Sequence, residues 1–166
     1  TPEWNLNMSQ TRSIFEDSRG RIWISTKSDG VVMFENEDRY RVFNTRHGLA
    51  GNMILSIQED VQGNIWFGSN HGISKLAWPD TVFYNYNADN GLLSNIAEIN
   101  ASFSFDTGEL LFGGNNGFNV FNPLSIGKNQ NEAWPLLTSF KVNQREVLFS
   151  DTLTDELVFR HNDNFI

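Results

Sequence analysis

Short apolar runs, each bounded by glycine, aspartate or asparagine, recur along the whole chain. The pattern is clearest over residues 57–76, IQEDVQGNIWFGSNHGISKL. Asp60-Val61-Gln62-Gly63 fits a hairpin connection, because the aspartate can accept bonds from the backbone beyond it and the glycine can take positive φ. In Asn64-Ile65-Trp66-Phe67-Gly68 the apolar residues are consecutive rather than alternating, which suits a short strand covered on both faces. Asn70-His71-Gly72 turns the chain again and Ile73 opens a further strand. The unit reads strand, tight turn, strand, turn, strand.

The unit recurs upstream as IFEDSRGRIWISTKSDGVVMF (14–34) and downstream as ASFSFDTGELLFGGNNGFNVF (101–121). The turn glycines Gly20, Gly63 and Gly108 are spaced by 43 and 45 residues; Trp23 and Trp66, and His47-Gly48-Leu49 and Asn90-Gly91-Leu92, repeat the first spacing. A period of roughly 40–50 residues built from short strands predicts β-propeller blades. The first blade is expected to have strands at 11–16, 21–26, 31–35 and 39–43. The second has them at 54–59, 64–68, 73–76 and 81–86. Residues 1–10 read as the end of a preceding repeat, Leu6 standing eight residues before Ile14 as Leu49 stands before Ile57. The third repeat diverges. Its 92–108 segment is two residues longer, Leu111 replaces tryptophan, Asp106-Thr107-Gly108 reads as a shorter turn, and polar residues 125–132 replace a fourth strand. Beyond Trp134 the texture changes: 136–142 and 146–149 flank Asn143-Gln144-Arg145 as a hairpin, and 156–160 reads as another strand. The predicted fold is all-β: a partial β-propeller of about three four-stranded blades with the start of a C-terminal β-sandwich or linker segment. The boundaries are 1–133 for the blades and 134–166 for last-blade closure and the segment that follows.

Composition changes this picture little. Twelve basic residues stand against twenty acidic ones, a formal charge of −8, which argues against binding a phosphate backbone. There is no cysteine, hence neither disulfide nor thiolate metal site. No apolar run approaches the eighteen or so residues of a membrane-spanning helix. The chain starts at Thr1 without methionine and stops at Ile166 inside what reads as a strand, so a piece of a longer protein is expected.

The candidate chemistry has bland competitors. Asp17…Gly20…Trp23 and Asp60…Gly63…Trp66 are one residue too widely spaced for the sialidase Asp-box, and turn formation plus inter-blade packing explains every residue. Glu16-Asp17 and Glu59-Asp60 are adjacent acids, but neighbours on a strand point to opposite faces and cannot converge on one atom. His47, His71 and His161 fall in turn slots or in the different C-terminal segment, so a three-histidine metal site is not expected. No nucleophile elbow or P-loop is present, no catalytic residue is assigned and no cofactor is expected. Trp78, Tyr84 and Tyr86 suit either sugar stacking or blade packing.

In a four-stranded blade, the loops between strands two and three emerge on the same face as the connections between blades. Those segments are 27–30, 70–72 and 115–117, with 44–51 and 87–95. They supply Lys27, Asp29, Arg46, His47, Asn70, His71, Asn90 and Asn116 as candidate ligand-binding residues. Arg46 is the foremost, since its planar fork can hold a carboxylate or vicinal hydroxyls. Trp23 and Trp66 are expected to be buried at equivalent places between sheets. Three blades leave open apolar faces, so self-association as a homodimer is expected. A propeller enzyme (lyase or glycosidase) and a purely structural or dimerisation segment are the competing functions.

The repeats, IxED-x-x-G-x-IW followed by G-[IV] and an HGL or NGL turn, resemble two-component regulator propeller repeats. FGGNNGFNVFNP, followed by PLLTSFKVNQREV and ELVFRHNDNFI, is similar to the junction with the triple-tyrosine immunoglobulin-like domain of the same proteins. The resemblance implies the periplasmic sensor region of a hybrid two-component histidine kinase, commonly controlling glycan utilisation in gut bacteria. It further implies non-catalytic recognition of an oligosaccharide, no nucleic-acid partner, and a kinase and membrane span outside these residues.

Overall fold

The structure, a computed structural model, describes residues 10–126 together with the backbone of two strands, Ser139–Val142 and Arg145–Leu148. The chain divides into two compact units, 1–126 and 127–166. The first contains three antiparallel meanders. Sheet one runs β1 (Thr11–Glu16), β2 (Ile22–Thr26), β3 (Val31–Asn36) and β4 (Arg39–Phe43) in that spatial order. Sheet two repeats it with β5 (Ile54–Glu59), β6 (Ile65–Ser69), β7 (Gly72–Ala77) and β8 (Val82–Tyr86). Sheet three has β9 (Ala97–Ser104), β10 (Leu110–Gly114) and β11 (Gly117–Phe121). β1, β5 and β9, the first strands of the three sheets, lie beside one another. These are consecutive propeller blades, each strand within one or two residues of the period's expectation.

Burial explains why the repeat holds these residues. Trp23 and Trp66 are both fully buried. Trp23 stacks on Phe43 (centroids 5.9 Å, planes 24° apart) and meets Phe67 of the next sheet at 5.7 Å. Trp66 stacks on Tyr86 (5.6 Å, 20°), the counterpart of Phe43, and meets Phe121 of the third sheet at 5.1 Å. One layer of aromatic and branched side chains thus fills each gap between blades, Ile57, Ile65, Phe67 and Leu76 receiving the first and Leu110 and Phe112 the second.

Each tryptophan is also tied to its own turn. Asp17 is buried, and its carboxylate accepts from the Arg19 and Arg21 backbone N–H groups (2.9 and 3.0 Å), from Arg21 Nε (2.6 Å) and from Trp23 Nε1 (2.7 Å). Asp60 accepts from the Gln62 and Asn64 backbones, from Asn64 Nδ2 and from Trp66 Nε1 at 2.8 Å. Burial pushes the Asp17 carboxyl up, but the donors of Trp23, Arg21 and Arg19 outweigh it and hold the group below its ordinary 3.8. Glu16, next to it, is exposed, as strand alternation requires.

The third repeat needs a correction. Asp106-Thr107-Gly108 does not form a shorter turn: Phe105 N–H donates to Glu109 O and Gly108 N–H to Phe105 O, the pattern made by Asp17 and Asp60 in the other blades. Phe105 therefore occupies the aspartate position, and aspartate and tryptophan have been exchanged together for Phe105 and Leu111. The joint exchange leaves neither a buried carboxylate without a donor nor an indole N–H without an acceptor. The two extra residues are taken up in a bulge. Between the pairs Gly114↔Ala97 and Phe112↔Ser102, β9 spans five residues against two, with Asn100 at φ 55°.

The second unit contains the antiparallel hairpin β12 (Ser139–Val142) and β13 (Arg145–Leu148), with Val142 opposite Arg145, so Arg145 opens a strand instead of sitting in the turn. The expectations for residues 1–9, for the strand at 156–160 and for His161 lie outside the described residues, as does 127–132 of the polar stretch.

Candidate ligand-binding face

The two ends of the blades are built differently. At one end the tight turns are bonded across the blade boundary. Ser18 N–H and Oγ donate to the Glu59 carboxylate at 2.7 and 2.8 Å. Arg19 Nη1 donates to Gly63 O at 3.0 Å and lies 3.5 Å from Glu59 Oε1. Sequence reasoning treated these turns as uniform punctuation and missed the cross-blade bonds; a basic residue before a turn glycine, present only in the first copy, was the available signal.

At the other end, the second-to-third-strand loops bond the connections between blades. Gly30 N–H donates to Asn52 O (3.0 Å), Gly72 N–H to Asn95 O (2.6 Å) and Asn115 N–H to Ile96 O (3.3 Å). Each connection begins with a 3₁₀ turn, Thr45–His47 and Ala88–Asn90, capped by Asn44 and Asn87. Asn52 and Asn95 accept from Thr45 N–H and Ala88 N–H at 2.9 and 2.7 Å. Gly48 and Gly91 close the turns at φ 110° and 99°, a conformation open to glycine at little cost.

This framework fixes where the eight sequence candidates stand. His47 and Asn90 are exposed, yet each closes a capping box: Asn90 Oδ1 accepts from Asn87 N–H at 3.0 Å, and His47 Nδ1 accepts from Asn44 N–H at 3.2 Å. His47 Nδ1 also lies 2.9 Å from Asn44 Oδ1, and one nitrogen cannot donate there while accepting from the backbone. The cap geometry recurs with asparagine in the second copy, so the accepting role is the one the repeat requires. Asp29 is bonded by Ser28 Oγ (3.1 Å), and its backbone N–H reaches Thr26 Oγ1. Asn70 and His71 come together over the connection between blades: a β-carbon at Gly51 would stand 2.9 Å from both Asn70 Oδ1 and His71 Nδ1. Among the described residues, Asn70 Oδ1 is buried without a hydrogen-bond partner. Lys27, Arg46, His71 and Asn116 are exposed, and the Arg46 guanidinium makes no ion pair or hydrogen bond among the described residues.

Two of the three sugar-stacking candidates are already engaged. The Arg21 guanidinium lies 3.8 Å from the Trp78 ring centroid, and Tyr86 is stacked on Trp66 with its hydroxyl pushed up by burial and by Tyr84. Tyr84 is 42% exposed. A groove of about 360 Å³ lined by Trp66, Tyr86, Leu92, Phe118 and Phe121 lies beside Gly91. In the preceding blade the corresponding space beside Gly48 is filled by Phe83 of β8, and Asn85 donates to Gly48 O. The groove is thus a fourth-strand slot by its place in the repeat. Among the described residues no three histidine or acidic side chains are grouped to hold a metal.

Comparison with known proteins agrees with the repeat pattern. The two-component regulator propeller repeat matches residues 5–28 and 48–71. Histidine kinase P4 of Formosa agariphila is 31% identical over 135 residues, 81% of this chain and 10% of that protein. The extracellular domain of the hybrid two-component system BT3049 of B. thetaiotaomicron aligns at a TM-score of 0.69 and 28% identity, over 94% of this chain and 20% of that one. Virginiamycin B lyase from Staphylococcus aureus (TM-score 0.51, 12% identity, 71% of this chain and 42% of that one) shares the fold alone. The chain spans about a tenth of the curated relative and a fifth of the solved extracellular domain. Repeat spacing, blade architecture and these likenesses agree: the chain carries two-component regulator propeller repeats and is a propeller segment similar to the extracellular domains of hybrid two-component systems.

Proposed function

We propose that this chain is part of the periplasmic sensory region of a hybrid two-component histidine kinase, and that it recognises an oligosaccharide without transforming it. The ligand lies on the face built from 27–30, 44–51, 70–72, 87–95 and 115–117, and its binding is passed as a change of geometry through the C-terminal segment. The observation that carries this reading is the contrast between the two blade ends. At the tight-turn end the polar groups of Ser18, Arg19 and Glu59 are spent on one another. At the loop end, Lys27, Arg46, His71 and Asn116 stand exposed on a backbone that the capping boxes hold in place. A fixed backbone presenting unengaged hydrogen-bonding side chains suits recognition of hydroxyl-rich ligands, because only the side chains, and not the loops, remain to be ordered on binding.

The test is calorimetric titration of neutral and acidic oligosaccharides into the complete ectodomain, with Arg46→Ala and His47→Asn tested separately. His47→Asn keeps the cap that Asn90 forms in the second copy while removing the imidazole. Weakened binding in Arg46→Ala with unchanged folding supports the site. Unchanged affinity in both variants, or affinity that responds only to changes at the Gly20 and Gly63 turns, contradicts it. Turnover of any saccharide would favour the enzymatic alternative.

A further inference from the structure

Charge is divided unevenly over the three blades. Residues 10–52 carry seven lysine and arginine side chains; residues 53–126 carry one, Lys75, whose ammonium lies 5.4 Å from the Trp66 ring centroid. Four of the blade-one cations are matched by carboxylates: Arg19 by Glu59 (3.5 Å), Arg21 by Asp17 (2.6 Å), and Arg39 and Arg41 by Glu35 (4.0 and 3.2 Å). The other three, Arg12, Lys27 and Arg46, make no ion pair among the described residues, and all three belong to the loop end.

Backbone bonds link the segments that carry them. Lys27 N–H donates to Gln10 O at 3.1 Å, and Thr11 pairs with Thr26, so the Lys27 loop stands beside the start of the strand that holds Arg12. Gly30 closes that loop by donating to Asn52 O, and Asn52 Oδ1 accepts from the Thr45 N–H next to Arg46. Arg12 is the extra residue of a bulge, since Thr11 and Ser13 pair with Thr26 and Ser25. A bulge leaves its extra residue out of the ladder and re-aims the side chain. β5 bulges at the same level, and there the slot is taken by Leu55, 6% exposed. An apolar residue thus serves the fold at this position, and the guanidinium of Arg12 is not required by it. Among the described residues Arg12 Nε is buried without a hydrogen-bond partner, which leaves a cation partly stripped of water and uncompensated. Asp29 is the one acid in 10–13, 27–30 and 44–52, and Ser28 Oγ donates to it at 3.1 Å. The corresponding segments of blades two and three hold no lysine or arginine and carry Asp89 and Glu98, both exposed.

Resting on the reading of the loop end as the ligand face, we propose that its blade-one part is an oxyanion subsite, in which Arg12, Lys27 and Arg46 hold the carboxylate or sulfate ester of an acidic oligosaccharide. A guanidinium meets two oxygens of either group with parallel N–H bonds, and the Lys27 ammonium adds charge. On a chain of net charge −8 this positive region is confined, so it fixes the ligand's orientation as well as its affinity. The acidic sugar lies over blade one, and the uncharged sugars extend towards Asn90 and Asn116, where Asp89 and Glu98 would repel the acid.

The test screens the complete ectodomain on an array of matched saccharide pairs: uronate-containing oligosaccharides beside their carboxyl-reduced forms, and sulfated ones beside their desulfated forms. Pairs that bind are titrated with the unaltered ectodomain, with Arg12→Leu, which installs the residue that blade two carries at the same bulge, and with Arg12→Lys, which keeps the charge without the planar fork. The acidic member of a pair is expected to bind at least tenfold more tightly than its neutral partner, the margin shrinking as sodium chloride is raised. Arg12→Leu is expected to remove most of that margin with affinity for the neutral partner unchanged, and Arg12→Lys to keep part of it. The pair that shows the margin tells carboxylate from sulfate. Three results overturn the oxyanion subsite while leaving saccharide recognition at the loop end standing: a neutral partner bound as tightly as the acidic member, a margin that survives Arg12→Leu, or an equal loss of both members in that variant. Binding of no saccharide at all overturns both.

Discussion

Trp23→Phe separates the two jobs of the repeat's tryptophan. The change removes the Nε1–H that donates to Asp17 Oδ2 at 2.7 Å, while leaving a ring to stack on Phe43 and meet Phe67. A hydrogen bond to a charged group is worth about 1.5–3 kcal/mol net. Three lost ring atoms in a fully buried site add on the order of 1–2 kcal/mol. The total, roughly 2.5–5 kcal/mol, is a large share of the 5–15 kcal/mol that holds a typical domain. A cycle with Asp17→Ala isolates the bond. In that background Nε1 has no carboxylate to meet, so Trp23→Phe should cost only the packing share, and the two costs should differ by about 1.5–3 kcal/mol. Asp17→Ala itself should be costly, since it strips the buried Arg21 of its Nε partner at 2.6 Å. Urea unfolding followed by far-ultraviolet circular dichroism is the assay, because removing an indole changes the fluorescence signal. Equal costs for Trp23→Phe in both backgrounds would refute the coupling and return the tryptophan to packing alone.

The same carboxylate sets an acid limit. Its folded pKa lies below the ordinary value, so the stability it contributes is fully present above about pH 4 and is lost as pH falls through the folded value; Asp17→Asn should flatten that loss in acid-unfolding curves. Gly63→Ala should destabilise more than Gly20→Ala in thermal melts: both positions have positive φ, near 77° and 74°, but only at Gly63 would the new carbon press on the Arg19 guanidinium. Asn44→Ala should cost about 0.5–2 kcal/mol through loss of the capping side chain, whereas His47→Asn, which keeps an acceptor at the third position of the turn, should be close to neutral by the same denaturant titration.

Much of the fold was legible because turn chemistry and burial repeat together. Gly20 and Gly63 each supply positive φ, and Trp23 and Trp66 each fill a gap between blades, so a 43-residue period marks both strand ends and core. The third turn was misread because aspartate is such a strong turn residue that Asp106 drew attention from Phe105, whose backbone bonds define the frame. What a strand pattern does not show is which side chains meet across blades. That Trp23 bonds Asp17 six residues away, and that Arg19 reaches Gly63 forty-four residues on, are facts of packing. The candidate face was partly legible: topology put its loops at one end. The structural use of His47 and Asn90 was missed, although Asn44…His47 and Asn87…Asn90 share a capping-box spacing before glycine.

The most direct test of ligand recognition at the loop end is amide hydrogen exchange of the complete ectodomain with and without a saturating oligosaccharide found by titration. The account predicts slowed exchange in 27–30, 44–51, 70–72, 87–95 and 115–117, with the turns around Gly20 and Gly63 unchanged. Protection confined to those turns, or to neither end of the blades, would contradict it.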